Sequence, residues 1–211
     1  MANPDQRFHL QHRGDSAILE LTSPDKTNKL SLHVIFALTD ALDQLHCEAE
    51  SKRIRRLIIT GNRKFFSVGA DLNEIAHLSG PKALEFSRAG QKLTNVISLF
   101  PVPVIAAIQG YCMGGGMDVA LACRYRIASP NAVFGHRGAS LGLITGWGGT
   151  QRLPRLVGKA RALQMFLLAE MVEAEEALKM HLVDRIAADP IQQAFSPQEP
   201  GIGNLNDPPD H

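Results

Sequence analysis

The chain has 211 residues, of which 45% are hydrophobic and 20% are charged, a composition that predicts one globular domain of ordinary size. Its formal net charge of +1 does not favour nucleic acid or an anionic membrane as a partner. The 3 cysteines are far apart and include no Cys-x-x-Cys pair, which argues against a disulfide framework and against a zinc site. We expect no metal, no membrane span and a cytoplasmic protein, because the sequence contains neither a secretory signal nor a bilayer-spanning apolar run.

Strand and helix patterns alternate along the chain. Residues 7–23 predict a β-hairpin, Ser31 caps a predicted helix, and residues 55–61 have the pattern of a buried strand. The next predicted elements are helices at 70–78 and 82–100, a strand at 103–110, short strands at 125–129 and 132–135, and a mostly helical region at 149–183. Strands separated by helices indicate an α/β layered fold. The proline-rich residues 188–211 have no period, which predicts a disordered tail after a core domain at 1–187.

One short segment has the spacing of a serine hydrolase elbow. Gly138 to Gly142 fit the pattern Gly-x-Ser-x-Gly, with Ser140 at the nucleophile position. An elbow needs a helix directly after the serine, whereas several glycines follow here before any helical pattern. In the order serine, acid, histidine, only His181 and His211 are left as the last member. A loop serine is therefore the favoured interpretation, and a Ser140 triad is a distant hypothesis.

Two glycine-rich turns, FSVGADLNEI and QGYCMGGGMDVA, each lie between a predicted strand and a predicted helix. Glycines at such places allow close backbone approach, and the free N–H groups of a helix N-terminus attract an anion or a developing oxyanion. Neither turn has the Gly-x-Gly-x-x-Gly spacing or a following Gly-Lys-Ser/Thr. Dinucleotide and P-loop sites are therefore not predicted.

Together with FGHRGASLGLITGWGGTQRLPRLVG and AEEALKMHLVDRI, these turns resemble the enoyl-CoA hydratase/isomerase family, the crotonases, in order and spacing over residues 7–187. The resemblance implies an α/β crotonase-type spiral of ββα units and an acyl-coenzyme A thioester as the small-molecule substrate. It implies no cofactor beyond the coenzyme A that the substrate carries. This family performs hydration, double-bond shift, decarboxylation, hydrolysis and dehalogenation at one shared site, so the resemblance alone does not select a reaction.

The resemblance also assigns roles to residues of the two turns. The backbone N–H groups of Ala70 and Gly115 would form the oxyanion hole that holds the thioester oxygen as an enolate develops. Contacts to the substrate and its coenzyme A would come from Lys26, Val68, Gly69, Asp71, Leu72, Asn73 and Gly116. For Lys26, an exposed loop lysine without such a role remains an open alternative.

The acids depart from the pattern of the family's hydratases, which use two glutamates to hold and activate a water. After the triple glycine this chain has Asp118, shorter by one carbon, and at the second position it has Gly138, which carries no acid. His136 is a candidate substitute base, and Asp118 has a structural alternative, since a helix dipole favours an acid in the first turn. Three functions stay open: an enoyl-CoA hydratase or isomerase, another crotonase reaction that uses Asp118 alone, and a catalytically weak acyl-CoA-binding paralogue.

The end of the chain is the second departure. By the resemblance, the family continues past Ile186 with helices that cover the acyl pocket and build trimers or hexamers. Here the predicted tail takes their place, so we expect this C-terminal helical part to be missing. Apolar surface around residues 160–183 would then be exposed unless a partner covers it, and a homotrimer or homohexamer would be weakened.

Overall fold

The computed structural model describes residues 7–196, so the predicted disorder of residues 197–211 lies outside the described residues. The strands are β1 (Phe8–Arg13), β2 (Ser16–Leu21), β3 (Lys29–Leu30), β4 (Arg56–Thr60), β5 (Phe65–Ser67), β6 (Gly69–Ala70), β7 (Val104–Ile108), β8 (Tyr111–Met113), β9 (Tyr125–Ala128), β10 (Val133–Gly135), β11 (Met171–Glu173) and β12 (Arg185–Ile186). The helices are α1 (Leu32–Glu50), α2 (Leu72–Ile75), α3 (Gly80–Ser98), α4 (Gly115–Ala122), α5 (Gly149–Val157), α6 (Lys159–Leu168), α7 (Ala174–Lys179) and α8 (Pro190–Ala194), with a 3₁₀ helix at Arg137–Leu141.

Two sheets share most of the strands, and a third pair of short strands lies apart from both. The larger sheet has the order β1-β2-β4-β7-β9-β12 and the smaller one β11-β10-β8-β5, while β3 pairs with β6. β1 and β2 form the predicted antiparallel hairpin, and the neighbours from β2 to β12 are parallel. Strand β4 is followed by β5 and α3, β7 by β8 and α4, and β9 by β10 and α5. Each repeat therefore adds one strand to each sheet and then a helix, which confirms the α/β spiral of ββα units.

Local sequence explains the long elements. The Ser31 hydroxyl accepts a hydrogen bond from the Val34 N–H at 3.4 Å and caps α1. The buried face of α1 packs beside α3 over the larger sheet. Strand β7 is buried at every position and β4 at all but its first, which is why both read as continuous apolar runs. Strands β3, β6 and β11 were not predicted, because two or three residues are too few to show a period.

The folded chain extends beyond the predicted domain boundary at residue 187. Pro190–Ala194 form α8, and Ala194 is buried against Ile58 and Ile105 of the larger sheet. The Asp189 carboxylate caps this helix by accepting from the Gln192 N–H at 2.9 Å. The prediction of disorder is therefore wrong for α8, since a helix this short shows no apolar period in the sequence.

An apolar face on α6 and β11 is open to solvent. The side chains of Leu163, Leu167, Leu168 and Met171 are exposed, which confirms the expectation of exposed apolar surface between residues 160 and 183. Within residues 7–196 no helix combines the length and apolarity needed to cross a membrane.

Candidate active site

A cavity of about 510 Å³ lies at the N-terminus of α4. It is lined by both glycine-rich turns, by α3 and by the loop between β10 and α5. Seven residues named for the site from the sequence line this cavity: Val68, Ala70, Leu72, Gly115, Asp118, His136 and Gly138. The rest of its wall is largely apolar, with Ile75, Leu78 and Phe86 among the lining residues, so it suits an acyl chain next to a small polar group.

The two predicted oxyanion-hole residues are brought together by a close backbone contact. Gly69 has a φ of +89°, and a Cβ there would lie 2.7 Å from the Gly115 nitrogen, so only glycine permits this approach of β6 to α4. The Ser67 hydroxyl accepts from the Gly69 N–H at 3.0 Å and donates to the Asn28 carbonyl at 2.7 Å, which holds the segment in place. Gly115 is the first residue of α4, where a helix N–H has no partner within the helix.

Trp147 fills a slot between two glycines. A Cβ at Gly90 or at Gly115 would lie 2.2 Å from the nearest atom of the Trp147 ring. The indole is buried and also lines the cavity, so Trp147 serves both as core and as pocket wall. Its carbonyl accepts from the Thr94 hydroxyl at 2.8 Å and from the Arg152 guanidinium at 3.1 Å. The ring therefore fixes α3, α4 and the start of α5 relative to one another.

Asp118 is a buried carboxyl in the first turn of α4. The Thr145 hydroxyl donates to its Oδ2, and the backbone N–H groups of Trp147 and Gly149 lie close enough to favour the ionised carboxyl. Burial raises the pKa of Asp118 to about 7, although these donors and the nearby charge of Arg152 oppose the rise. An acid with a pKa near neutrality both releases and accepts protons readily under ordinary conditions.

His136 faces Asp118 across a short gap. Its Nε2 lies 3.5 Å from Asp118 Oδ1, which is longer than a hydrogen bond. Burial lowers the pKa of His136 to about 4, so the imidazole is neutral near pH 7 and the contact is not an ion pair. The ring packs against Phe166 of α6 with a centroid distance of 5.1 Å. His136 and Asp118 both line the cavity.

Comparison of this chain with known protein families identifies its family. The model of the Enoyl-CoA hydratase/isomerase family matches residues 14–194. The chain belongs to this family. The recognition of the crotonase motifs is thereby confirmed, over a range close to the one that the sequence resemblance covers.

This crotonase chain is similar to curated relatives. It is 39% identical over 171 residues to a "Crotonyl-CoA hydratase" of Syntrophomonas wolfei. It is 41% identical over 174 residues to a "Probable enoyl-CoA hydratase" of Bacillus subtilis. These matches cover 81% and 82% of the chain but only 65% and 66% of the relatives. The chain thus spans about two thirds of their length. A crystal structure of an enoyl-CoA hydratase from Bacillus anthracis superposes with a TM-score of 0.84 at 32% identity, covering 90% of this chain and 74% of that one.

The position without an acid, Gly138, lies in the cavity wall of this crotonase. A Cβ there would lie 2.6 Å from the carbonyl oxygen of Leu143, so the loop as folded leaves no room for a side chain. The contact is with backbone, which moves less easily than the end of a side chain. Glycine at 138 therefore matches the close approach of the Leu143 carbonyl.

We expect Gly138→Glu to fail as a restoration of the second acid. The new Cβ must displace the backbone at Leu143, which should lower the free energy of unfolding by about 1–3 kcal/mol. Gly138→Ala introduces the same Cβ without a carboxyl and should destabilise the protein equally in thermal melts. A Gly138→Glu protein with an unchanged melting temperature and a raised hydration rate would contradict this account of the loop.

The other predicted binding residues do not line the cavity. Asp71 caps α2 by accepting from the Asn73 N–H at 2.9 Å, and Asn73 itself is exposed. A Cβ at Gly116 would lie 2.6 Å from Ser67 Cβ, so this glycine permits close packing. Lys26 is exposed in a loop, where its carbonyl accepts from the Asn62 amide at 2.7 Å. Whether coenzyme A contacts these residues stays a prediction.

Ser140 is exposed in the 3₁₀ helix that follows β10 and is not among the residues lining the cavity. The strand is followed by this short 3₁₀ helix rather than by an α-helix, as the glycine content indicates. A hydrolase elbow is therefore not formed, and His211 lies outside the described residues. Within residues 7–196 no group of three or more His, Cys, Asp or Glu residues is arranged to hold a metal ion.

The sequence did not reveal three partners of the site. Thr145, Arg152 and Gly90 approach Asp118 or Trp147 only through the tertiary fold. Thr145 and Arg152 lie within the motif that carries the family resemblance, but no spacing rule links either of them to Asp118. Gly90 lies on a helix, where a glycine costs stability unless another group needs its space.

Proposed function

We propose that this chain binds an enoyl-CoA thioester and catalyses addition of water across its double bond through an enolate. One observation carries the proposal. A buried carboxyl, Asp118, whose pKa is raised to about 7, lies one turn from the first N–H of α4 and lines the same apolar cavity. This arrangement supplies a proton carrier beside donors for a developing oxyanion.

The donors act on the thioester oxygen. When a nucleophile adds to Cβ of the enoyl group, negative charge develops on that oxygen, and the N–H groups of Ala70 and Gly115 would stabilise it. Losing one such donor typically costs about 3–4 kcal/mol of transition-state stabilisation. The close contact at Gly69 and the packing of Trp147 keep these backbone groups in position before the substrate arrives.

A double-bond shift is the second candidate reaction. It needs one group that removes a proton from one carbon and returns it to another, and it needs no bound water. The absence of an acid at Gly138 favours a double-bond shift, because Asp118 is then the one carboxyl among the cavity-lining residues of the described chain. Both reactions share the enolate and the oxyanion hole.

The test uses two substrates and one saturated analogue. Crotonyl-CoA loses its conjugated absorbance on hydration, whereas 3-butenoyl-CoA gains that absorbance on isomerisation. We expect turnover of crotonyl-CoA, and Ser140→Ala should leave it intact because Ser140 lies outside the cavity lining. Butyryl-CoA binding, measured by calorimetry, reports occupancy of the site without chemistry.

Each outcome selects one function. Turnover of 3-butenoyl-CoA alone would make the chain an isomerase. Binding of butyryl-CoA with neither reaction would overturn the proposal in favour of an acyl-CoA-binding paralogue. Loss of activity in Ser140→Ala would revive the hydrolase hypothesis.

A further inference from the structure

Two buried polar atoms at the base of the cavity have no hydrogen-bond partner. They are Asp118 Oδ1 and His136 Nε2, and within residues 7–196 only Asn28 Oδ1 shares this property among buried side-chain atoms. An unsatisfied buried polar group is costly to a fold, so two such atoms facing each other at 3.5 Å indicate a function rather than a defect of packing.

We propose that His136 replaces the missing second acid by holding the reacting water together with Asp118. In this role His136 Nε2 is a hydrogen-bond acceptor and the ring proton lies on Nδ1. The inference rests on the proposed hydration, and it adds a second catalytic side chain that the position at Gly138 does not supply.

The chemistry of the two atoms selects water as the ligand. A carboxylate oxygen and an unprotonated imidazole nitrogen are both acceptors, so they repel a further acceptor and bind a molecule with two O–H donors. A water oxygen about 2.8 Å from each atom would satisfy both at once. Its lone pairs then face away from the two side chains, toward the cavity in which Cβ of the enoyl group would lie.

The reaction balances with one proton carrier. The water oxygen forms a bond to Cβ, one water proton passes to the Asp118 carboxylate, and the electron pair of the double bond moves to give the enolate. The Asp118 carboxyl then returns its proton to Cα, the thioester carbonyl re-forms, and the carboxylate is regenerated. The second water hydrogen stays on oxygen as the product hydroxyl, so the imidazole of His136 is never charged.

The pKa values of the two groups agree with Asp118 as the proton carrier and His136 as a hydrogen-bond acceptor. Burial raises the pKa of Asp118 to about 7 and lowers that of His136 to about 4, so Asp118 is the better proton acceptor of the two. Asp118 also faces Arg152 and lies near the buried thiol of Cys112, whose pKa burial raises. The buried thiol of Cys123 interacts with Arg152 rather than with Asp118. When Asp118 is protonated, its O–H can donate to Nε2, and the pair then needs no water.

The fold holds the imidazole in this position. His136 follows β10 and precedes the 3₁₀ helix, and Phe166 of α6 stacks beside its ring at 5.1 Å. Its side chain is 4% exposed and that of Asp118 is 1% exposed, so neither group can turn to bulk solvent for a partner. Both residues line the cavity, so the pair adjoins the space from which water would reach it.

The experiment separates water binding from proton transfer. Removal of an α-proton from butyryl-CoA, followed as deuterium exchange in D₂O, needs the oxyanion hole and Asp118 but no bound water. His136→Leu removes the acceptor, and we expect it to slow crotonyl-CoA hydration about 10- to 100-fold while changing butyryl-CoA exchange less than about threefold. His136→Gln can offer an amide oxygen in place of Nε2 and should recover most of the hydration rate. Asp118→Asn should lose both reactions.

Several results would overturn the inference. Equal hydration by wild type and His136→Leu would show that the imidazole does not hold the water. Equal losses in hydration and exchange, or an equal defect in His136→Gln and His136→Leu with unchanged butyryl-CoA affinity, would assign His136 a structural role. If the wild type exchanges α-protons but does not hydrate crotonyl-CoA, the proposed hydration fails and this inference fails with it; hydration that is insensitive to His136 removes the inference alone.

Discussion

Asp118→Asn is expected to lower kcat/KM for crotonyl-CoA by about 10²- to 10⁴-fold, the range for loss of one general acid or base. Asparagine keeps an oxygen that can accept from the Thr145 hydroxyl, and its amide can donate to His136 Nε2. The shape of the site should therefore survive while the transferable proton is lost. Asp40→Asn, an equivalent change on the exposed face of α1, is the matched control and should leave the rate unchanged.

The same substitution should stabilise the fold at high pH. The folded-state pKa of Asp118 is raised from 3.8 to about 7, so its stabilising contribution is complete below pH 3.8 and is lost as the pH rises to 7. Such a shift corresponds to at most about 4 kcal/mol. Denaturant unfolding should show Asp118→Asn becoming more stable than wild type between pH 4 and pH 8. A variant that is less stable than wild type at every pH would contradict the raised pKa of Asp118.

Gly115→Ala is expected to have the largest effect among glycine substitutions in the site. The added methyl would lie 2.2 Å from the Trp147 ring, which is itself packed against Gly90 and cannot retreat in that direction. Displacing the indole should lower the free energy of unfolding by about 1–3 kcal/mol. Misplacing the Gly115 N–H should lower kcat by about 10²- to 10³-fold.

Two further variants give this prediction its controls. Gly80→Ala adds a methyl where a Cβ meets no atom within 4 Å, so it should be neutral in melting temperature and activity. Trp147→Leu combined with Gly115→Ala relieves the clash, and a double-mutant cycle should show a favourable coupling. Additive losses in the cycle would mean that the methyl acts on something other than the Trp147 ring.

The sequence predicted the architecture well where it carries a period or a cap. Ser31 marks the start of α1, and the apolar runs of β4 and β7 mark strands buried on both faces. Strands β3 and β6 were missed because their pairing is a tertiary contact of two residues each. Helix α8 was missed for a similar reason, since its stability comes from packing on the larger sheet rather than from its own pattern.

The site could be predicted in part. The family resemblance carried by the glycine-rich turns pointed to Ala70 and Gly115, and the structure places both in the wall of one cavity. Their role as an oxyanion hole stays a prediction. His136 was a candidate from the sequence, but Thr145 and Arg152 were not, since their approach to Asp118 depends on the tertiary fold. The pKa of Asp118 is likewise a property of burial, which only the folded chain defines.

Asp118, a buried carboxyl that ionises near neutrality, is the proposed base for chemistry on an enoyl thioester. The pH profile of kcat/KM for crotonyl-CoA between pH 5 and pH 9 tests it most directly, because kcat/KM reports the free protein. His136 and Cys123 have pKa values of about 4 and about 12, outside this range. We predict a rate that rises with pH through one ionisation near pH 7, while butyryl-CoA affinity stays constant. A flat profile, or an ionisation that appears equally in butyryl-CoA binding, would contradict the assignment of Asp118 as the base.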